Sequence, residues 1–313
     1  MRFRNDPPSL RGSLAAVITP FAEHGELDID GLTALAQWQR DAGADGLSIG
    51  GSTGEPSSQT VAERVAAMTA VARVTADEIP FVPATGSVKL EETLELTAAA
   101  RDLGADAALI ITPYYAKPTQ HMLVEWYATV AREFPDLPLI VYNVPARTAV
   151  DLAPETVLEL RRRADNIVGI KETTKDFEHF SRVLHLTGRD FLVWSGIELL
   201  CLPLLALGGA GYISALANLA PRSLADLYRA WSEGRIEEAQ AIHYALHPLA
   251  DLLFVETNPA PAKWVLQRSG KLASAHVRPP LYPVTERGQE RILALLEQSR
   301  DVLAHEALEP VAA

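Results

Sequence analysis

A lysine stands inside the apolar run Ile167-Val-Gly-Ile-Lys-Glu-Thr-Thr174. If the run is a β-strand, its period-two alternation sends Ile167, Gly169, Lys171 and Thr173 to one face and Val168 and Ile170 to the other. The Lys171 ammonium then points into an apolar interior. A charge left there alone is costly, so it either finds a partner or gives up its proton. A free amine in such a place is a nucleophile toward ketones and condenses with them to an imine. Gly169, one layer below, is expected to leave room for the lysine stem.

Other segments carry polar residues where a purely structural strand has no use for them. Ile49-Gly-Gly-Ser-Thr-Gly-Glu55 runs from a strand into glycines and hydroxyls. Such a loop presents backbone N–H groups to a carboxylate or phosphate, with Ser52 and Thr53 as added donors, although its composition is also that of an ordinary turn. In Pro138-Leu-Ile-Val-Tyr-Asn-Val-Pro-Ala-Arg-Thr148, Tyr142 lies near a strand end, where a phenol can relay a proton. Arg147 follows in the loop, a fork-shaped donor suited to a carboxylate. In Thr112-Pro-Tyr-Tyr-Ala-Lys-Pro118 two adjacent tyrosines point opposite ways, one to pack and one to reach a site or a neighbouring subunit. His243 and His247 have the i, i+4 spacing of a metal pair, but no further ligand motif accompanies them, and they read as structural. Cys201, inside Leu-Leu-Cys-Leu-Pro-Leu-Leu, reads as packing, and Gly208-Gly-Ala-Gly211 lacks the spacing of a dinucleotide fingerprint.

Lysine, tyrosine and loop hydroxyls meet only if the fold brings strand ends together. Short apolar runs at 14–21, 46–51, 79–86, 107–115, 138–145, 167–174, 191–196 and 209–214 have the composition of parallel strands buried on both faces. Amphipathic stretches at 32–42, 61–76, 90–103, 120–134 and 154–164 alternate with them. Asp28 and Asp30 precede the first of these, and Thr60 with Glu63 has capping-box spacing before the second. This alternation predicts an α/β fold, a (β/α)₈ barrel, rather than a doubly wound open sheet, which usually has fewer strands. After Ala215 the pattern turns helical, with expected helices at 223–234, 236–254, 260–269 and 290–305. The organisation is therefore a catalytic barrel over residues 1–222 and a C-terminal helical domain over 223–313.

The 313 residues suffice for a large core. A formal net charge of −12 argues against nucleic acid and anionic membrane as partners. The single cysteine excludes an intramolecular disulfide, and neither a secretory signal nor a membrane span is expected, so the chain reads as cytoplasmic.

Gly51-Ser-Thr-Gly-Glu55, Thr112-Pro-Tyr-Tyr115, Tyr142-Asn-Val-Pro145, Gly169-Ile-Lys-Glu172 and Phe254-Val-Glu-Thr-Asn-Pro259 together resemble the dihydrodipicolinate synthase / N-acetylneuraminate lyase superfamily of class I pyruvate aldolases. The resemblance covers about Leu14 to Pro283. It implies a TIM barrel with a C-terminal helical domain, assembled as a homodimer or homotetramer. It implies that Lys171 forms an imine with pyruvate and that Tyr142 shuttles protons, linked through Thr53 to a tyrosine given across a tight dimer, here Tyr115. Ser52 and the Thr53 N–H would hold the pyruvate carboxylate, with Gly196 and Ile213 completing the substrate site. Neither metal nor organic cofactor is implied. Tyr-Asn-Val-Pro-x-Arg-Thr matches the synthase branch, in which Arg147 would receive the carboxylate of aspartate semialdehyde. Gly196-Ile-Glu-Leu-Leu-Cys-Leu-Pro203 instead resembles 2,4-dihydroxyhept-2-ene-1,7-dioate aldolases, and a 2-keto-3-deoxy sugar acid dehydratase is a further alternative.

Overall fold

The computed structural model describes residues 3–76 and 78–308. Seven parallel strands form one curled sheet: β1 (Gly12–Ala16), β2 (Gly46–Ser48), β3 (Ala108–Ile111), β4 (Leu139–Asn143), β5 (Ile167–Glu172), β6 (Leu192–Ser195) and β7 (Gly211–Ser214), in the order β2-β1-β7-β6-β5-β4-β3. The run at 79–86, expected as a strand, takes the eighth place without forming a ladder. Pro80 and Pro83 lack the N–H groups a ladder needs. Isolated bridges Leu47↔Phe81 and Ala84↔Leu109 nevertheless join it to β2 and β3 and close a (β/α)₈ barrel.

All seven strands are shorter than the apolar runs that announce them. Most runs overshoot at the C-terminal end, where the chain leaves the ladder for the loops of the barrel mouth. The helix starts follow local chemistry. The Asp28 side chain accepts from the Gly31 N–H, and Thr60 and Glu63 form a reciprocal capping box before Val61–Thr75. In the C-terminal region the stretch expected as one helix at 236–254 is two, Ile236–Ala245 and His247–Leu252, because Pro248 cannot donate to the preceding turn. The expected helix at 290–305 is likewise two, Glu286–Gln298 and Arg300–His305. Among the described residues no helix is long and apolar enough to cross a membrane.

The apolar side chains separate into two layers. Leu14, Val82, Leu109, Ile140, Leu192, Trp194 and Ile213 fill the barrel. Leu47, Val141, Ile170, Val193 and Tyr212 face the helices. Strand β5 departs from simple alternation at its start. Leu139 pairs with Ile167 but Ile140 pairs with Gly169, so an extra residue, Val168, is accommodated there. Ile167 consequently packs with the helix layer and Val168 against the barrel interior, the reverse of the expected sides. Alternation resumes with Ile170 outward.

Gly169 does not make space for the lysine stem. A Cβ there would collide with the Leu192 carbonyl oxygen and come within 2.7 Å of the Trp194 ring. It makes room for Trp194, whose indole N–H donates to the Leu10 carbonyl at 3.2 Å in the barrel floor. Replacing Gly169 with Ala should therefore overpack the floor and lower stability by about 1–3 kcal/mol in chemical denaturation. An unchanged denaturation midpoint would show that the floor relaxes around the added methyl.

Candidate active site

Strands β4 and β5 are neighbours, and their register sets Tyr142 directly beside Lys171. Lys171 is buried, and its Nζ lies 4.5 Å from the centre of the Tyr142 ring. Among the described residues no carboxylate stands within ion-pair distance of that nitrogen. The space for its stem comes from the end of β6. A Cβ on Gly196 would sit 2.1 Å from Thr173 Cγ2 and 2.6 Å from Lys171 Cε, so a larger residue there would force these side chains to shift.

The loop after β2 winds into a 3₁₀ turn, Ser52–Gly54, and brings Ser52 Oγ to 3.5 Å from the Tyr142 hydroxyl. Thr53 is buried, and its Oγ1 accepts a hydrogen bond from Asn258 Nδ2 at 3.0 Å. The turn ends on Glu55, a non-glycine residue held at φ 54°. The Glu55 carboxylate is fixed by Lys263 Nζ at 2.5 Å and by the Arg278 N–H at 3.0 Å. Lys263 is fully buried, and this desolvation brings its pKa down to about 8 against the pull of Glu55.

A cavity of about 1250 Å³ opens above these groups, between the barrel mouth and the C-terminal helices. Ser52, Thr53, Tyr142, Arg147, Lys171, Gly196 and Ile213 all line it, so seven of the eight residues singled out in the sequence meet in one place. Arg147 sits at the rim in a one-turn helix, Pro145–Thr148, rather than in an open loop, and donates to the Asn258 carbonyl at 3.4 Å. Tyr115 is the exception. It projects from its loop with φ 68° and is 93% exposed, outside the cavity of its own chain. His243 and His247 bring their Nε2 atoms to 3.4 Å from each other on the C-terminal helices, away from these groups.

A family model described as the dihydrodipicolinate synthetase family matches residues 9–299. The chain belongs to this family. A 4-hydroxy-tetrahydrodipicolinate synthase of Thermus thermophilus is 43% identical over 288 residues, 92% of this chain and 96% of that protein. The crystal structure of dihydrodipicolinate synthase from Thermotoga maritima superposes with a TM-score of 0.88 at 36% identity, covering 96% of this chain and all of that one (100%). The chloride-inhibited dihydrodipicolinate synthase of Acinetobacter baumannii, solved with pyruvate, gives a TM-score of 0.89 at 35% identity over 93% of this chain and 99% of that one.

Sequence reasoning missed several polar groups of this synthetase-family site. Asn258 and Lys263 lie more than 200 residues from the Thr53 and Glu55 they hold. Asn258 falls within a motif that carries the family resemblance but has no role assigned by it, and Lys263 falls within none. Glu198 lines the cavity as a buried carboxylate, unsignalled by any spacing. Glu172, beside Lys171 in sequence, points the other way and anchors the strand. It accepts from Asn143 Nδ2 at 3.0 Å and from the N–H groups of Thr173 and Thr174 at 2.9 and 3.0 Å, and it lies at ion-pair distance, 3.1 Å, from His179 Nε2.

Burial opposes protonation of His179, but the hydrogen bond and charge of Glu172 outweigh it, and the His179 pKa is raised. A raised folded-state pKa stabilises below the unfolded value of about 6.5 and loses that contribution as pH rises through the folded value. His179→Gln should thus lower the melting temperature most at acidic pH, with the gap to the native protein closing on the alkaline side. A gap independent of pH would show that His179 acts by packing alone.

Proposed function

We propose that the chain is a Schiff-base lyase that condenses pyruvate with an aldehyde carrying a distal carboxylate. The reaction of 4-hydroxy-tetrahydrodipicolinate synthase, with aspartate semialdehyde as the aldehyde, is the best supported form. The observation that carries the proposal is the Lys171 amine, buried without an ion-pair partner among the described residues and facing a cavity it shares with Tyr142, Ser52 and Thr53.

The chemistry follows from that placement. Lys171 Nζ adds to the pyruvate ketone carbon, water leaves, and an iminium forms. The iminium withdraws electrons from the adjacent methyl, which loses a proton to give an enamine. The enamine carbon attacks the aldehyde, whose oxygen takes up a proton. Tyr142 is placed to move these protons, with the Thr53 hydroxyl as the next link. Ser52 and the Thr53 N–H, at the start of a 3₁₀ turn and without intrahelical acceptors, suit the pyruvate carboxylate. Gly196 admits the lysine stem, and Ile213 gives an apolar wall. No metal or organic cofactor enters this sequence.

Arg147 at the rim suits the far carboxylate of the aldehyde. Ile197 also lines the cavity. Its apolar side chain favours, as a second reading, an acceptor without an amino group, as in 2,4-dihydroxyhept-2-ene-1,7-dioate aldolases. The proposal extends to assembly. The exposure of Tyr115 supports a homodimer, alone or within a tetramer, in which this residue completes the relay of a neighbouring copy. We place the protein in the cytoplasm and divide it into a catalytic barrel, 1–222, and a helical domain, 223–313, that walls the site.

A coupled assay with pyruvate and a panel of semialdehydes tests this reading. Turnover should be highest with aspartate semialdehyde, and Lys171→Ala should abolish it without unfolding the protein. Turnover surviving in Lys171→Ala would end the Schiff-base mechanism. In the same assay Arg147→Ala should raise KM for the aldehyde roughly tenfold to hundredfold, since a hydrogen bond to a charged group contributes about 1.5–3 kcal/mol. The KM for pyruvate should move little. An unmoved aldehyde KM would remove Arg147 from the site.

A further inference from the structure

The mechanism above leaves one buried acid of the cavity without a task. Glu198 follows the Gly196 bend that wraps the Lys171 stem, and it lines the same cavity. It is buried, and no cation pairs with it among the described residues. Its carboxylate is instead fixed from β7 and the turn beyond. It accepts from Ser214 Oγ at 3.2 Å, from the Ala215 N–H at 3.0 Å and from the Leu216 N–H at 3.2 Å.

Hydrogen bonds of this kind hold a carboxylate in place but leave its charge uncompensated. The cation that shares its cavity floor is Lys171, itself without a carboxylate at ion-pair distance. We propose that Glu198 is the counter-ion of the Lys171 centre, a positioning residue that balances the positive charge Nζ carries as ammonium and, on the Schiff-base reading above, as iminium. Glu198 need not touch the substrate for this. It acts on the nitrogen through space across a low-dielectric cavity floor.

The electrostatic surroundings agree. Burial pushes the Glu198 carboxyl up to about 7, and the charge of Lys171 is the largest influence opposing that rise. Glu198 is therefore ionised over the alkaline range in which an amine titrates. Lys171 faces it from β5, and Cys201 from the helix that follows it. Asp251, on the packed helix His247–Leu252, and Arg291 line the cavity from the C-terminal side. Among the described residues, the titratable side chains that share its cavity also include Tyr142, Arg147, Asp151 and Lys175. The end of β7 offers a hydroxyl and backbone only.

The test reads the protonation of Lys171 directly and needs no turnover. The full-length native protein and Glu198→Gln are labelled with trace acetic anhydride across a series of pH values, and Lys171 acetylation is quantified by peptide mass spectrometry. Glutamine keeps an acceptor for the Ala215 and Leu216 N–H groups, turns an NH2 donor toward Ser214 Oγ, and removes the charge. The midpoint of Lys171 labelling should fall by about one pH unit or more in the variant, the usual effect of losing a nearby opposite charge. The melting temperature should stay close to native. Glu198→Met removes the same charge by a different side chain and serves if the glutamine variant does not fold. Unchanged midpoints in a folded variant would overturn the proposal and leave Glu198 a structural tie between β6 and β7. Borohydride trapping of pyruvate on the native protein, run alongside, separates a failure of the Schiff-base reading from a failure of the counter-ion.

Discussion

An amine placed at the C-terminal end of a strand, inside a barrel of apolar side chains, governs the organisation of this molecule. Water cannot solvate Lys171 as it would at a surface, and no carboxylate forms an ion pair with it among the described residues. Everything close to the nitrogen is arranged around that condition. The Tyr142 ring lies under it, Gly196 yields the space its stem requires, and Glu198 is tied back by β7 so that its charge acts from a distance. A strand can present a lysine this way only because its other face, through Ile170 and Glu172, is firmly anchored against the helix layer and the Asn143–His179 cluster.

The second constraint is long-range. The loop carrying Ser52 and Thr53 has a backbone, at Glu55, that its own sequence does not favour. The C-terminal region holds it there through Asn258, Lys263 and Arg278. A buried ion pair of this kind is weak evidence of stability but strong evidence of fixed geometry, since breaking it leaves one charge stranded. The helices after the barrel are thus more than a lid over the cavity. They set the position of the hydroxyls opposite the lysine.

How much of this the sequence disclosed follows from which signals are local. Lys171, Tyr142, Ser52, Thr53 and Arg147 stood out because each is a polar residue at the end of an apolar run, and the structure gathers them in one cavity. The barrel was legible from the same alternation. Features that depend on contacts between distant segments were not. The extra residue at Val168, the collision that fixes Gly169 against Trp194, and the passage Gly196 leaves for the lysine all arise from neighbouring strands. The prolines at 80 and 83 were visible, yet only the bridges to β2 and β3 show how the barrel closes across them. Tyr115 could be singled out by its motif, but a single chain leaves it in solvent.

The central claim is that Lys171 Nζ, and no other group, bonds covalently to the keto acid. A crystal structure of the native protein soaked with pyruvate tests it most directly. The account predicts continuous density from Nζ to the ketone carbon, with the carboxylate against Ser52 and Thr53. Pyruvate lying unbonded in the cavity, or bonded to a different lysine, would contradict it.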